Sequence, residues 1–402
     1  MSKHIEGIIF IVAQKFTKRD FRRYGIEKFK TNKFKVKVWD ITAILYPDVE
    51  RLYFPLDIMK DEKLITKFSK INLLINSIKS QNKNTFFNVE LIYSWKTFKI
   101  FNVISKNSFK YTCLVPPKGG MPYSENRQDS QSIIYKKKIK RLFNFKNLFR
   151  AIFNRIPVNI LGLNSPDFVI VSCGEDSIIK SSIISKKTKV LKVFSPDYEQ
   201  YYLDILAGDK DDITENTIVF IDQNLPNAMD AFYDGNYKDN KITSEIYYEE
   251  INSLFDNLEN FTGLKVIIAA HPKLNIENDN LFHGRKVVRN NTYQSIKKSK
   301  LVIGHYSSAI NIAILLNKPI FLFTTKSISD HGSNHFIESF TNSLGIKFIN
   351  INDDNFKLDK FEIFNINDEK YKSFINRYIK SDDTINKPVW NAYIDNLREL
   401  RL

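Results

Sequence analysis

Cysteine is scarce in this chain. Cys113 and Cys173 stand 60 residues apart, outside any Cys-x-x-Cys or His/Cys spacing, so neither a zinc site nor a disulfide framework is expected. A reducing cytoplasm fits best. Glycine and proline are also sparse, 13 and 12 of 402 residues, which excludes a collagenous or low-complexity chain. Long apolar runs are missing too: no stretch approaches the ~18 residues of a membrane span. The short run Ile8 to Ala13 behind Met-Ser-Lys-His is too brief and wrongly flanked for a secretory signal. A soluble or peripheral protein is expected, and no repeat recurs at a fixed period.

The chain does contain enough apolar material for real cores, with 43% hydrophobic against 26% charged residues. At roughly 100–200 residues per domain its length predicts two domains. Lys and Arg outnumber Asp and Glu by 60 to 45, a net charge of +15, which points to an anionic partner such as nucleotide phosphates, nucleic acid or a membrane surface.

The opening reads as strand, helix, strand: the buried-type run Gly7 to Ala13, a helical Thr17 to Asn32 and the alternating Phe34 to Asp40. A helix over Lys63 to Ser80 and a strand over Thr85 to Ile92 follow, then a turn-rich Pro116 to Pro122. Further strands are expected at Phe168 to Ser172 and Lys189 to Phe194, with a helix near Ser177 to Ile184 between them. A charged boundary near 205–216 precedes strands at Thr217 to Ile221, Leu264 to Ala270, Leu301 to Gly304 and Pro319 to Phe323. Helices are expected at Ser244 to Asn260, Thr292 to Ser299, Ser307 to Leu316 and Asp383 to Leu400. The predicted fold is α/β, two Rossmann-like, doubly wound domains facing across a cleft, divided as 1–210 and 211–382, with a final helix over 383–402.

No acidic residue lies between Asp129 and Asp167, where Lys136, Lys137, Lys138, Lys140, Arg141, Lys146, Arg150 and Arg155 alternate with Leu and Phe. A basic amphipathic helix near 136–155 results. It suits an anionic membrane surface, at about 1 kcal/mol for each basic residue near the lipid, and it equally suits a core-packed helix with a solvated face.

Two constellations carry chemistry. His271, followed by Pro272 and Lys273, sits just past the apolar VIIAA, at the carboxyl end of a buried strand where open α/β sheets bind ligands. The run LVIGHYSSAINIA is a strand, a turn with His305 and Tyr306, and a helix opening on Ser307 and Ser308, an arrangement that offers donors to a phosphate. A strand-end histidine holding a carbonyl and a serine acting as N-cap are the ordinary roles of such residues.

The order of these elements, Ala270-His271-Pro272-Lys273 and, about 35 residues on, Tyr306-Ser307-Ser308-Ala309, resembles the bacterial sialyltransferases and their relatives that use CMP-activated nonulosonic acids or Kdo. The resemblance implies a GT-B fold, with the acceptor in the N-terminal domain, the donor in the C-terminal domain and a final helix crossing back. It implies that the HP histidine and the SS serines hold the donor phosphate. That family also carries two acidic residues and Gly as the source of its base, and no such tripeptide occurs here. Asp197, in SPDYEQY after the strand KVLKVF, stands where that motif would stand. Asp176 in GEDS and Asp222 after TIVFI are the alternatives.

The expected activity is that of a bacterial, cytoplasmic glycosyltransferase, peripheral at the inner membrane face. It would pass a nonulosonic acid from a CMP donor to a surface glycan such as a capsule or lipopolysaccharide, with no metal and no cofactor beyond the donor. Two other classes stand beside it: a CDP-polyol phosphotransferase of teichoic-acid type, and a non-catalytic glycan or nucleotide binder. Nucleic acid is not an expected partner, because no recognised module occurs and the basic excess is concentrated near 136–155.

Overall fold

In the computed structural model the described residues are 4–55, 57–115, 122, 152–153, 155–172, 174, 181–208, 215–227, 242–271, 274 and 281–400. They form two large parallel sheets and a separate parallel pair of strands. The first runs through β1 (Gly7–Val12), β2 (Lys35–Asp40), β3 (Ile65–Lys67), β4 (Thr85–Ile92) and β5 (Lys110–Leu114) in the order β3-β2-β1-β4-β5. A parallel pair, β6 (Phe168–Ser172) and β7 (Lys189–Val193), continues beside β5, where the Thr112 hydroxyl donates to the Phe168 carbonyl at 2.7 Å.

The second sheet comprises β8 (Thr217–Ile221), β9 (Lys265–Ala269), β10 (Val287–Val288), β11 (Leu301–Gly304), β12 (Ile320–Thr324) and β13 (Ile349–Asn350), in the order β10-β9-β8-β11-β12-β13. The central strands β1, β8, β11 and β12 are apolar on both faces, as helices on either side of a parallel sheet require. One core fills the second sheet's faces; two cores, one on each face, sandwich the first.

The last helix, Val389–Glu399, returns to the first sheet. Its Tyr393 ring lies 5.3 Å from Phe29 and 5.1 Å from Phe168, both edge to face. The architecture is the α/β, two-sheet arrangement with a crossing helix that the GT-B type describes.

Several sequence expectations change. The helix read over Thr17 to Asn32 breaks into Lys18–Arg23 and Ile26–Thr31, because Gly25 adopts a left-handed φ of 58° and a Cβ there would stand 2.5 Å from the Trp390 ring. The helix read over Lys63 to Ser80 is β3 followed by Ile71–Lys79. Asp61 accepts the Lys63 and Leu64 amides and turns the chain so that Ile65 can pair with β2. The stretch after β7 that carries Asp197, where no helix is expected, is the helix Pro196–Ala207, started by Pro196 and by Ser195, whose side chain accepts the Tyr198 amide at 3.1 Å. Residues 181–184 are not helical, and the rest of the helix expected near Ser177 to Ile184 lies outside the described residues.

Candidate functional site

In the second sheet the strand order reverses between β8 and β11, the point at which doubly wound sheets open a ligand crevice at their carboxyl ends. Three neighbouring strand ends meet there. Asp222 follows β8 and is 3% exposed. Its Oδ1 accepts the Asn224 amide at 2.9 Å and its Oδ2 accepts the His271 amide at 3.1 Å. Burial raises the carboxyl's pKa, and the amides of Asn224, His271 and Gln223 oppose the rise. Asp222 thereby ties the end of β8 to the end of β9 and fixes the backbone of His271, whose side chain is half-buried.

Gln223 joins β8 to β11. Its Oε1 accepts the Tyr306 amide at 2.9 Å, and its Nε2 donates to the Tyr306 carbonyl. Both backbone groups of the turn residue are held by one side chain, and the Tyr306 ring stacks on Phe336 at 4.9 Å. His305 points the other way, into the core. Its Nδ1 donates to the Phe323 carbonyl at 2.8 Å, so its Nε2 is the acceptor for the Tyr247 hydroxyl at 3.0 Å. Burial pushes the imidazole pKa down to about 4. The turn is therefore supported from beneath by a neutral histidine.

The helix after the turn begins at Ile310, later than the sequence suggests, so Ser307 and Ser308 belong to the turn itself. Ser307 Oγ accepts the Ala309 amide at 3.3 Å, and Ser308 is exposed. Asp197 reaches this place from the helix Pro196–Ala207, where the Asn311 side-chain amide, one turn beyond the serines, favours its charged form. Burial outweighs that amide and lifts Asp197 to about 6. The same helix is fastened to the second sheet's side by Asp204, which accepts from Lys297 at 3.0 Å and from the Tyr293 hydroxyl at 3.1 Å.

The structure thus brings Asp197, Asp222, His271, Tyr306, Ser307 and Ser308 to one sheet edge and sets His305 behind it. Pro272, Lys273, Asp176 and most of the basic stretch 136–155 lie outside the described residues. Two residues that organise the site, Gln223 and Asn311, are not among the residues singled out in the sequence. Gln223 carried the strand-end signal of its neighbour Asp222, and Asn311 the signal of a lone amide within the apolar INIAIL. Among the described residues no group of three or more His, Cys, Asp and Glu could hold a metal ion, and no helix is long and apolar enough to cross a membrane.

No known protein family matches this sequence, and no curated protein matches it. Among solved structures, the chain is similar to the wall teichoic acid polymerase TagF, with 14% identity, a TM-score of 0.48, and coverage of 98% of this chain and 88% of that one. A form of the same polymerase soaked with CDPG gives a TM-score of 0.46 at 13% identity, with the same coverage. The UDP-GlcNAc 2-epimerase of Methanocaldococcus jannaschii, in complex with UDP-GlcNAc and UDP, gives 0.41 at 10% identity, covering 92% of this chain and 98% of that one.

Proposed function

We propose that the chain is a glycosyltransferase-type enzyme that binds a cytidine-nucleotide-activated donor at the reversal point of the second sheet and passes its activated group to a hydroxyl of a surface glycan. The observation that carries this reading is the assembly of three adjacent strand ends, with Asp222 and Gln223 locking the His271 and Tyr306 backbones beside a turn in which Ser307 is partly buried and Ser308 exposed. A site fixed in advance in this way can neutralise a departing phosphate without reorganising. Asp197, held beside the serine turn and with its pKa raised toward the working range, is the proposed base for the acceptor hydroxyl.

Two donors fit. Transfer of a nonulosonic acid from a CMP donor attacks the anomeric carbon; transfer of a polyol phosphate from a CDP donor attacks phosphorus. Both release CMP. The missing acidic pair before Gly, on which the sialyltransferase-like group depends, favours the CDP-polyol reading, and CDPG is the compound soaked into the teichoic acid polymerase named above. A membrane-facing role for the basic stretch 136–155 would bring such an enzyme to a lipid-linked acceptor.

The test is a thermal-shift screen with CMP, CDP, UDP and ADP, followed by CMP release from CDP-glycerol and from a CMP-nonulosonate. Cytidine nucleotides should raise Tm in a concentration-dependent way. CMP release from CDP-glycerol alone selects the polyol reading, release from the CMP-sugar alone selects the other, and no cytidine preference rejects both.

A further inference from the structure

The returning helix Val389–Glu399 and the helix Ile26–Thr31 run side by side. The Trp390 indole donates to the Arg23 carbonyl at 2.9 Å, Lys28 Nζ donates to Asn391 Oδ1 at 3.4 Å, and Arg398 Nη2 donates to Asn32 Oδ1 at 2.7 Å. Beside the last of these contacts they leave a cavity of about 330 Å³, lined by Asn32, Lys387, Asn391, Ile394, Asp395 and Arg398. Asn32 caps the shorter helix just ahead of β2, so the cavity lies by the amino end of that strand. Open α/β sheets take their ligands at the opposite, carboxyl edge.

Helix spacing and charge set the lining. Asn391, Asp395 and Arg398 stand four and three residues apart and share one stripe of the returning helix, while Ile394, buried in one of the first sheet's cores, supplies an apolar floor. Lys387 donates to Asp395 Oδ2 at 3.0 Å, so these two charges cancel. Glu399, the next acid along the helix, is taken by Lys189 at 2.9 Å. Arg398 is different. Its partner is the neutral Asn32 side chain, and it makes no ion pair among the described residues. That bond holds the planar guanidinium while most of its N–H groups stay open, which leaves the lining with one uncompensated positive charge. Asn391 Nδ2 and Asp395 Oδ1 also take no partner among the described residues, so the wall offers a second donor and one acceptor.

We propose that this cavity binds a small hydroxylated oxyanion, a sugar phosphate or a sugar acid, with its oxyanion on Arg398 and Asn391 and a hydroxyl on Asp395. The chemistry selects that class. A guanidinium fork matches two oxygens of a phosphate or carboxylate, a hydroxyl gives Asp395 Oδ1 the donor it lacks, and a cationic ligand would meet Arg398 and Lys387. The volume, at the low end for ligand pockets, suits a single sugar unit. Such a ligand would clasp the returning helix to Ile26–Thr31 and so stabilise the fold by mass action. The site does not rest on the transferase reading, because no residue of the donor edge lines it.

Isothermal titration calorimetry at low ionic strength, in a buffer free of phosphate and carboxylate, tests the site with glucose 6-phosphate, gluconate and glucose on wild type, Arg398→Gln and Arg398→Lys. Wild type should bind at least one of the two anions, and the one that binds names the oxyanion. Glucose, which lacks the charge, should bind about tenfold more weakly or not at all. Arg398→Gln should weaken anion binding about tenfold or more, the scale of a lost charged hydrogen bond, while the Tm of the unliganded protein stays the same, since the side chain is exposed. Arg398→Lys should restore part of the affinity, because it returns the charge without the fork. No binding of either anion to wild type, glucose binding as tightly as the anions, or unchanged anion binding in Arg398→Gln overturns the proposal.

Discussion

His305 and Asp197 show how burial acts in opposite senses on two site residues. His305 titrates near 6.5 when unfolded and near 4 in the fold, so the unfolded chain binds its proton first. Its contribution is fully present above about pH 6.5 and is lost as pH falls toward 4, a change of about 3 kcal/mol. Asp197 runs the other way. Its carboxyl, ordinarily at 3.8, holds its proton up to about 6 in the fold, so it favours folding at low pH and disfavours it as pH rises through that window. Between pH 4 and 6 the two slopes oppose each other. Unfolding free energies of wild type, His305→Gln and Asp197→Asn at pH 4, 5, 6 and 7 separate them. Relative to wild type, His305→Gln should gain ground as pH falls from 6.5 to 4, and Asp197→Asn should gain it as pH rises from 4 to 6. Parallel curves would remove both groups from the folding linkage.

At the scale of the element, the long central strands were legible, while the edge strands Ile65–Lys67, Val287–Val288 and Ile349–Asn350, the strand Lys110–Leu114 and several helix boundaries were not. Gly7–Val12, Phe168–Ser172, Thr217–Ile221 and Leu301–Gly304 are apolar runs whose burial is a local property of sequence, and each lies where its run predicts. The break at Gly25 was not local: it depends on Trp390, 365 residues away, whose indole Nε1 donates to the Arg23 carbonyl at 2.9 Å and whose ring fills the space a Cβ would need. The helix Pro196–Ala207 carried its start signal in Ser195-Pro196, but none of its residues is fully buried and its apolar pattern is weak. The site was legible where residues sit at strand ends and hidden where, as with Gln223 and Asn311, a role arises only from what the fold brings beside them. Gly25→Ala combines a strained φ with a steric clash, so it should cost about 1–3 kcal/mol or more. Adding Trp390→Ala should relieve the clash and leave the backbone strain, so a denaturation double-mutant cycle should show a favourable coupling between the two. Additive costs would mean that the ring moves aside freely.

For the whole molecule, the first sheet's core is completed by the last helix, and the two chain crossings meet. Glu199 on the connecting helix Pro196–Ala207 accepts the Val389 amide at 3.2 Å at the start of the returning helix, while Asp204 of the same connecting helix pairs with Lys297 on the other side. Gly174, just past β6, lies against the Arg377 backbone so closely that a Cβ would stand 2.2 Å from it. With such joints the two sheets can open together or one at a time, and paired substitutions distinguish these modes. Leu397→Ala empties a place that is 1% exposed in the first core, and should cost about 2–5 kcal/mol. Asp204→Ala removes a carboxylate that a largely buried Lys297 and the Tyr293 hydroxyl both donate to beside the second, at a cost of about 1–3 kcal/mol. If each sheet opens as its own cooperative unit, native-state hydrogen exchange should quicken in β1 and β4 for Leu397→Ala, and in the helix Thr292–Lys298 and β8 for Asp204→Ala. Equal acceleration across both sheets in either variant would show that the crossings at Glu199 and Gly174 weld them into one unit.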